Sequence, residues 1–427
     1  MTPLSPNQRP RSSDALSSFI IKNFSSTSQA TRSSRFFLPS KEANETHYSK
    51  MSRKLQVVLA TTLTLVDQFQ STLSSSQGNP GPTAGEGPEE LDPLPLLSGA
   101  STALKSHITK LSLLTINPPF THSAVATTLS ALNESVLPSL VTATLLITPE
   151  SHTKTFQKEI RILVVTTLKE LSLLVKEVQV VAEGETDGKL GQSTKDTITV
   201  AAGRVWDACD VLVDVAAKGI VGFMVKRAEE YRDLVRDAVE EIEAWDPDEE
   251  SDEFFEDLLG DDEKRLAVSD KPGAGGDSER EGEDEEEGSA ALHARKKDAL
   301  RILKPIAQIY PTIISNRLKT APTPLVPSSI RILESLILSL RQIPNYIDEV
   351  AGALYENDLE KYRHQLEKSI KYASKAVDLV AFPWGLKQTS DDQAITGDKF
   401  TTWSKTWTKV IEEVSRIVDE STYIKPG

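Results

Sequence analysis

The residues best suited to metal or nucleophilic chemistry in this chain are six histidines and one cysteine. His47, His107, His122, His152, His293 and His364 are scattered, and no two stand three or four positions apart. That spacing is what sets two ligands on one helix face. The chain has neither the Glu-x-x-His element of di-iron bundles nor the His-Glu-x-x-His of zinc proteases. No Gly-x-Gly-x-x-Gly or P-loop follows a strand, so a phosphate cradle is missing. Cys209 falls in a stripe with Val205, Leu212 and Ala216. That places it as a small buried residue rather than a nucleophile. Asp207, Asp210 and Asp214 lie on the polar side of the same stretch and suit caps or salt links. The expectation is a protein without catalytic residues, cofactor or metal.

Charge is the next feature. The 427 residues carry 63 acids and 48 bases, a formal net charge of −15. Between Glu240 and Glu287 there are 23 acids and 4 bases, so that stretch alone carries −19. The other 379 residues hold 40 acids and 44 bases, a charge of +4. A run of like charge with few apolar residues stays solvated, so 246–289 reads as a disordered acidic loop. Inside it, Phe254, Phe255, Leu258 and Leu259 stand at 0, +1, +4 and +5, one face of a short helix flanked by acids. Such a segment suits folding onto a basic-rimmed apolar groove, of a partner or of its own bundle. These four residues are the candidate partner-binding positions. Ser278, with Glu279 and Glu281 after it, fits an acid-directed phosphorylation site. The densest basic stretch, His293 to Lys304, opens an amphipathic helix. It could bind the acidic segment, act as an import signal or form a solvated face. No basic region precedes a dimerising helix pair, so direct nucleic-acid reading is not expected.

These residues must be positioned by helices. From Phe156 the apolar positions run Ile160, Leu163, Thr167, Leu171, Leu174, Val178 and Val181, in steps of three or four. Ile162, Val165, Leu168 and Val175 widen that stripe and predict a central bundle helix. Similar spacing covers Arg53–Leu73, Leu96–Leu114, Ser123–Ile147, Ser193–Ala217, Gly219–Trp245, Ala290–Leu318 and Ser328–Arg341. It recurs in the stretch from Tyr346 to Val380, as Leu359, Tyr362, Leu366, Ile370, Ala373, Val377 and Val380, and again as Phe400, Trp403, Trp407, Val410, Val414 and Ile417. No stretch alternates with period two between hairpin turns. The fold class is therefore all-α, two packed helical bundles of four or five helices. Residues 51–217 form the first and 218–427 the second, interrupted by 246–289.

Pro305 and Pro311 should kink the Ala290–Leu318 helix, since each lacks a backbone donor. A heptad series Leu333, Leu340, Ile347 and Leu354 looks like a zipper, but Pro344 inside it predicts two helices meeting at a proline turn. No apolar run reaches the roughly 18–20 residues of a membrane span. Residues 1–50 are Ser/Thr-rich and read as a disordered extension. Their scarcity of acids also suits a mitochondrial transit peptide.

One resemblance stands out. An opening helix Lys54-Leu-Gln-Val-Val-Leu, a helix holding Val205-Trp-Asp-Ala-Cys-Asp210, and Leu234-Val-Arg-Asp-Ala-Val-Glu-Glu-Ile-Glu243 running into the acidic block resemble the cyclin-D-binding protein family (GCIP-like). Trp206, Cys209 and Asp210 match its most specific piece, read here as structural. The resemblance implies two bundles similar to those of talin and vinculin. It also implies a non-enzymatic regulator of cell cycle and transcription, binding cyclin-like or helix-loop-helix partners in cytoplasm and nucleus. A cytoskeletal or membrane-linked scaffold of the talin and vinculin type is the alternative. Family members have leucine-zipper character, and Pro344 interrupts the heptad series that would supply it in this sequence. The sequence leaves the oligomeric state open.

Overall fold

The computed structural model describes residues 53–75, 92–184, 190–248, 279–384 and 398–423, and side chains within these except 279–287 and 419–423. Among the described residues every regular element is helical. The chain divides into two compact units, Met1–Ile220 and Val221–Gly427.

Unit 1 begins with α1 (Arg53–Ser74) and α2 (Pro93–Ile116). Asp92 caps α2 by accepting from the Leu94 amide at 3.1 Å, with Pro93 at the first helical position. Next come α3 (His122–Ala131) and α4 (Leu137–Leu146), joined through a π-helical turn at Leu132–Val136. In that turn Asn133 donates to the Thr62 hydroxyl of α1 at 2.9 Å. A single turn, α5 (Pro149–His152), precedes α6 (Lys154–Gly184). The break between them is Thr153, at φ 67, whose hydroxyl accepts from the Phe156 amide at 3.2 Å and starts the long helix. α1 packs on α6 and α3, and α2 on α4.

The run His122–Leu146 is long and apolar enough to suit a membrane by length and mean composition. However, 56% of its apolar window is buried within the protein, and Asn133 and Glu134 sit midway. It is the core helix of unit 1.

α7 (Gln192–Ala244) spans the boundary and is broken once, at Gly219 (φ 60, ψ −163). That region is accessible almost only to glycine. A Cβ at Gly219 would meet Leu94 at an ordinary 3.7 Å, so the backbone angle, not space, demands the residue. Residues 192–218 bury Ile198, Ala202, Val205, Cys209 and Leu212. Residues 220–244 bury Phe223, Met224, Ala228, Val235 and Ile242.

Unit 2 continues with α8 (Glu279–Ala307), α9 (Ile309–Ile313) and a second π-helical turn, Ile314–Leu318. α10 (Pro327–Tyr355), α11 (Leu359–Leu379) and α12 (Lys399–Tyr423) complete it. α10 ends in a left-handed Asn357 (φ 54). The Asp358 amide donates to Ala353 O and the Asn357 amide to Leu354 O, a Schellman closure. The Asp358 carboxylate then caps α11 through the Lys361 amide at 3.0 Å. α10 and α11 form an extensive hairpin, and α8 packs on both and on α12.

Four expectations need correction. Pro344 does not split α10, which runs through it. The missing donor costs one bond, but Leu333, Leu340, Ile347 and Leu354 are all buried in the unit's own core, and that packing holds the helix. The heptad is therefore a core stripe, not a zipper. Second, 279–289 is helical and belongs to α8 rather than to the acidic loop. Acidic side chains favour a helix N-terminus, so the charge that argued for disorder is tolerated there. Third, α6 is not buried all round, because Ile162 is 51% exposed. Fourth, the stripe of α12 is Phe400, Ser404, Trp407, Ile411 and Val418, while Val410 and Ile417 face solvent. The buried Ser404 hides this register in the sequence. Pro305 is accommodated inside α8, and the break falls two residues later, between α8 and α9.

Candidate functional site

Phe254, Phe255, Leu258 and Leu259 lie outside the described residues. Trp206, Cys209 and Asp210 lie on the 192–218 arm of α7. Cys209 is fully buried, and its thiol is pushed up to about 12, first by burial and then by the Asp210 charge, with Lys105 opposing. A thiol held in its protonated form is a poor nucleophile. Asp210 is exposed and takes Lys105 of α2 on both oxygens at 2.6 Å. Trp206 is half-buried, and its ring N–H has no acceptor among the described residues. The motif therefore fastens α7 to α2. The other acids of the cluster, Asp207 and Asp214, are exposed, and Asp214 pairs with Lys218 one turn on at 2.8 Å.

A surface depression lies at the C-terminal end of α2, lined by Ser106, Lys110, Leu113, Asn117 and Pro119 among others. It offers no carboxylate, imidazole or thiol, so it has no acid–base pair or metal donor set.

One donor set does converge among the described residues. The ligand atoms of Asp246, Asp248 and His293 lie within 4.8 Å of one another. His293 Nε2 is 3.0 Å from Asp248, and the Ser289 hydroxyl donates to the same carboxylate. These two bonds hold the Asp248 carboxyl below its ordinary value, Ser289 contributing more. All three donors are exposed and already bonded among themselves, which describes a polar clasp better than a built metal centre. The sequence conceals the clasp because 45 residues separate its halves.

Two surfaces have a different character. On α6 the outward positions are Ile162, Thr166, Lys169, Leu173, Lys176 and Val180, spaced by three and four. Ile162, Leu173 and Val180 are 51%, 39% and 60% exposed. This is an apolar stripe interrupted by two cations along about five turns of helix. On unit 2, Tyr346 of α10 stacks on Tyr372 of α11, ring centroids 5.3 Å apart. The Lys368 ammonium lies 5.4 Å from the Tyr346 ring. Reading α6 as central hid the first surface, and only a hairpin register reveals the second.

The opposite kind of arrangement occurs at Arg317, on the second π-turn. Its side chain is 2% exposed. It donates to Val380 O at 2.6 Å, to Ala381 O at 3.2 Å and to both oxygens of Asp398 at 2.6 and 3.0 Å. The guanidinium also sits 4.3 Å from the Phe400 ring centroid. This network ties the end of α11 and the start of α12 to the π-turn. Every donor points at a protein acceptor, so the group is structural.

Residues 96–248 match the family model described as "Grap2 and cyclin-D-interacting, N-terminal". The match runs from α2 to the clasp at Asp248 and includes the α6 face and the Trp206–Asp210 motif. An uncharacterized protein of Schizosaccharomyces pombe is 22% identical over 342 residues, 77% of this chain and 88% of that one. Over residues 96–248, about a third of its length, this chain is similar to the Grap2 and cyclin-D-interacting family.

Proposed function

We propose that the protein is a non-enzymatic adaptor that regulates cell-cycle progression and transcription by binding a cyclin-like or helix-loop-helix protein, in cytoplasm and nucleus. The observation that carries this reading is the outer face of α6, which lies inside the family-matched stretch. Ile162, Leu173 and Val180 expose aliphatic surface at helical spacing, with Lys169 and Lys176 between them. A second amphipathic helix with acidic flanks fits such a face. The acidic stretch with Phe254, Phe255, Leu258 and Leu259 is a second contact element and speeds encounter with a basic partner.

The test is recovery of cyclin D by the full chain and by a triple variant, Ile162→Glu, Leu173→Glu and Val180→Glu. All three positions are exposed, so helicity and the unfolding midpoint should stay unchanged. Recovery should fall by an order of magnitude or more, since apolar anchors dominate such contacts. Recovery equal to that of the unmodified chain would remove α6 as the binding face.

A further inference from the structure

The hairpin of α10 and α11 carries cations that enter no ion pair among the described residues. Lys368, Lys371 and Lys375 follow one another by three and four along the solvent side of α11. Arg341 is exposed on α10. Among the described residues no ion pair joins any of these four to an acid. Neighbouring Lys361, by contrast, is paired with Glu349 and Glu356. The Tyr346–Tyr372 stack fixes the register of the two antiparallel helices. It places Arg341 within a turn of Lys375 along the hairpin axis. Leu338, one turn before Arg341, is 44% exposed. The surface is thus aromatic and apolar with a basic rim, and Glu367 and Asp378 are the acids on the same side of α11.

We propose that this face is the docking site of the chain's own segment 249–278, which belongs to the same unit. Phe254, Phe255, Leu258 and Leu259 supply the apolar contact, against Tyr346, Tyr372 and Leu338. Charge is complementary, because the segment holds 11 acids and 3 bases. The point of departure also fits. Asp248 is clasped to His293 and Ser289 of α8, the Trp245 ring lies 4.9 Å from that of Tyr355, and Arg295 donates to Asn357. The segment therefore leaves beside the α10–α11 turn. Tyr346 and Tyr372 lie 11 and 15 residues from Asn357, about 17–22 Å along the helices. Six to eleven residues separate Asp248 from the four apolar side chains, a reach of up to about 20–37 Å. The distance is covered without unfolding any helix. A tether this short gives an effective concentration in the millimolar range, so even a weak contact stays occupied. A partner that uses the acidic segment then has to displace it first, which lowers that partner's apparent affinity. The docking itself does not depend on which partner that is.

Zero-length carbodiimide cross-linking of the full chain, without any partner, tests the proposal. Peptide mapping of the monomer band should join Lys368, Lys371 or Lys375 to acids of 249–278. The yield should fall severalfold in about 0.5 M salt, where screening shortens to a few ångströms. It should fall likewise in a variant with Phe254, Phe255, Leu258 and Leu259 all changed to Ala. The proposal is overturned if the segment's acids join only lysines elsewhere, or if no joined peptide is found. It is equally overturned if the quadruple variant cross-links as well as the parent, or if the products appear only in a dimer band. Because no cyclin is present, the result is independent of the α6 variant.

Discussion

Unit 1 buries hydroxyls as its only described polar side chains, whereas unit 2 buries a cation. In unit 1, Thr62, Ser101, Thr115, Thr144 and Thr167 each donate to the carbonyl one turn back in their own helix. Such bonds satisfy the hydroxyl but tie no helix to another, and only Thr62 of these five also accepts from a neighbouring element, at Asn133. Cohesion in unit 1 therefore rests on the apolar stripes of α1, α2, α4 and α6, each fully buried Leu or Ile contributing about 1.5–3 kcal/mol. In unit 2, Arg317 binds acceptors from three separate stretches. The contrast shows two ways of fixing a bundle. Apolar packing tolerates small shifts in register, while a forked cation accepts only one arrangement of the segments around it.

The largest effect that would break this comparison is Arg317→Met. It keeps much of the apolar volume and leaves the carbonyls of Val380 and Ala381 without their donor. Asp398 is 41% exposed and can turn to water, so the full penalty of an orphaned buried pair does not apply. The expected loss is on the order of 3 kcal/mol. Four of the five tryptophans lie in unit 2, namely Trp245, Trp384, Trp403 and Trp407. Denaturant unfolding followed by tryptophan fluorescence therefore reads the right unit. A change below about 0.5 kcal/mol, the level of an ordinary surface substitution, would mean that the apolar core alone holds unit 2.

That network also shows where sequence reading stops. Helix number, the glycine break at 219 and most buried stripes are legible, because spacing of three and four reports a face directly. Arg317 and Asp398 are 81 residues apart, and nothing local marks either as a partner. The π-turns insert one extra residue per turn, which shifts the face without changing composition. Ser404 is a polar member of a buried stripe. A hydroxyl can return to its own helix, and hydropathy does not show this. Ile162 and Val410 are the converse, apolar residues on the solvent side. As for the candidate site, the acidic segment is plain in the charge arithmetic. The faces of α6 and α10–α11 are not, because exposure is a property of packing.

A second, smaller effect is acid sensitivity, which sharpens the same contrast. The Arg317 guanidinium, and then the amide and hydroxyl of Thr401, hold the Asp398 carboxyl well below the usual carboxylate range. A carboxyl lowered in the folded state stabilises above its unfolded value, about 3.9, and that contribution is lost as pH falls toward the folded value. The unfolding midpoint of unit 2 should therefore drop as pH is lowered below about 4. Asp398→Asn cannot titrate and should flatten that part of the profile while costing stability at pH 7. If the variant follows the parent's acid profile, some other carboxylate sets it.

The smallest structural change tests unit 1, where Cys209 is the natural probe. Its thiol is buried and pushed up to about 12, so at pH 8 little thiolate exists and no reagent reaches it while unit 1 stays closed. Labelling of the native chain by a disulfide reagent should be on the order of a thousandfold slower than labelling in denaturant. The residual rate reports how often the core around Cys209 opens. Leu171→Ala, which leaves a cavity in the same unit, should speed it. Arg317→Met should leave it unchanged, since every bond that Arg317 makes lies among residues 316–398. Fast labelling of the unmodified chain would show that the 192–218 arm of α7 separates from α2 in the native state. In that case the Lys105–Asp210 pair, with both side chains solvated, would be too weak a fastening, as exposed ion pairs commonly are.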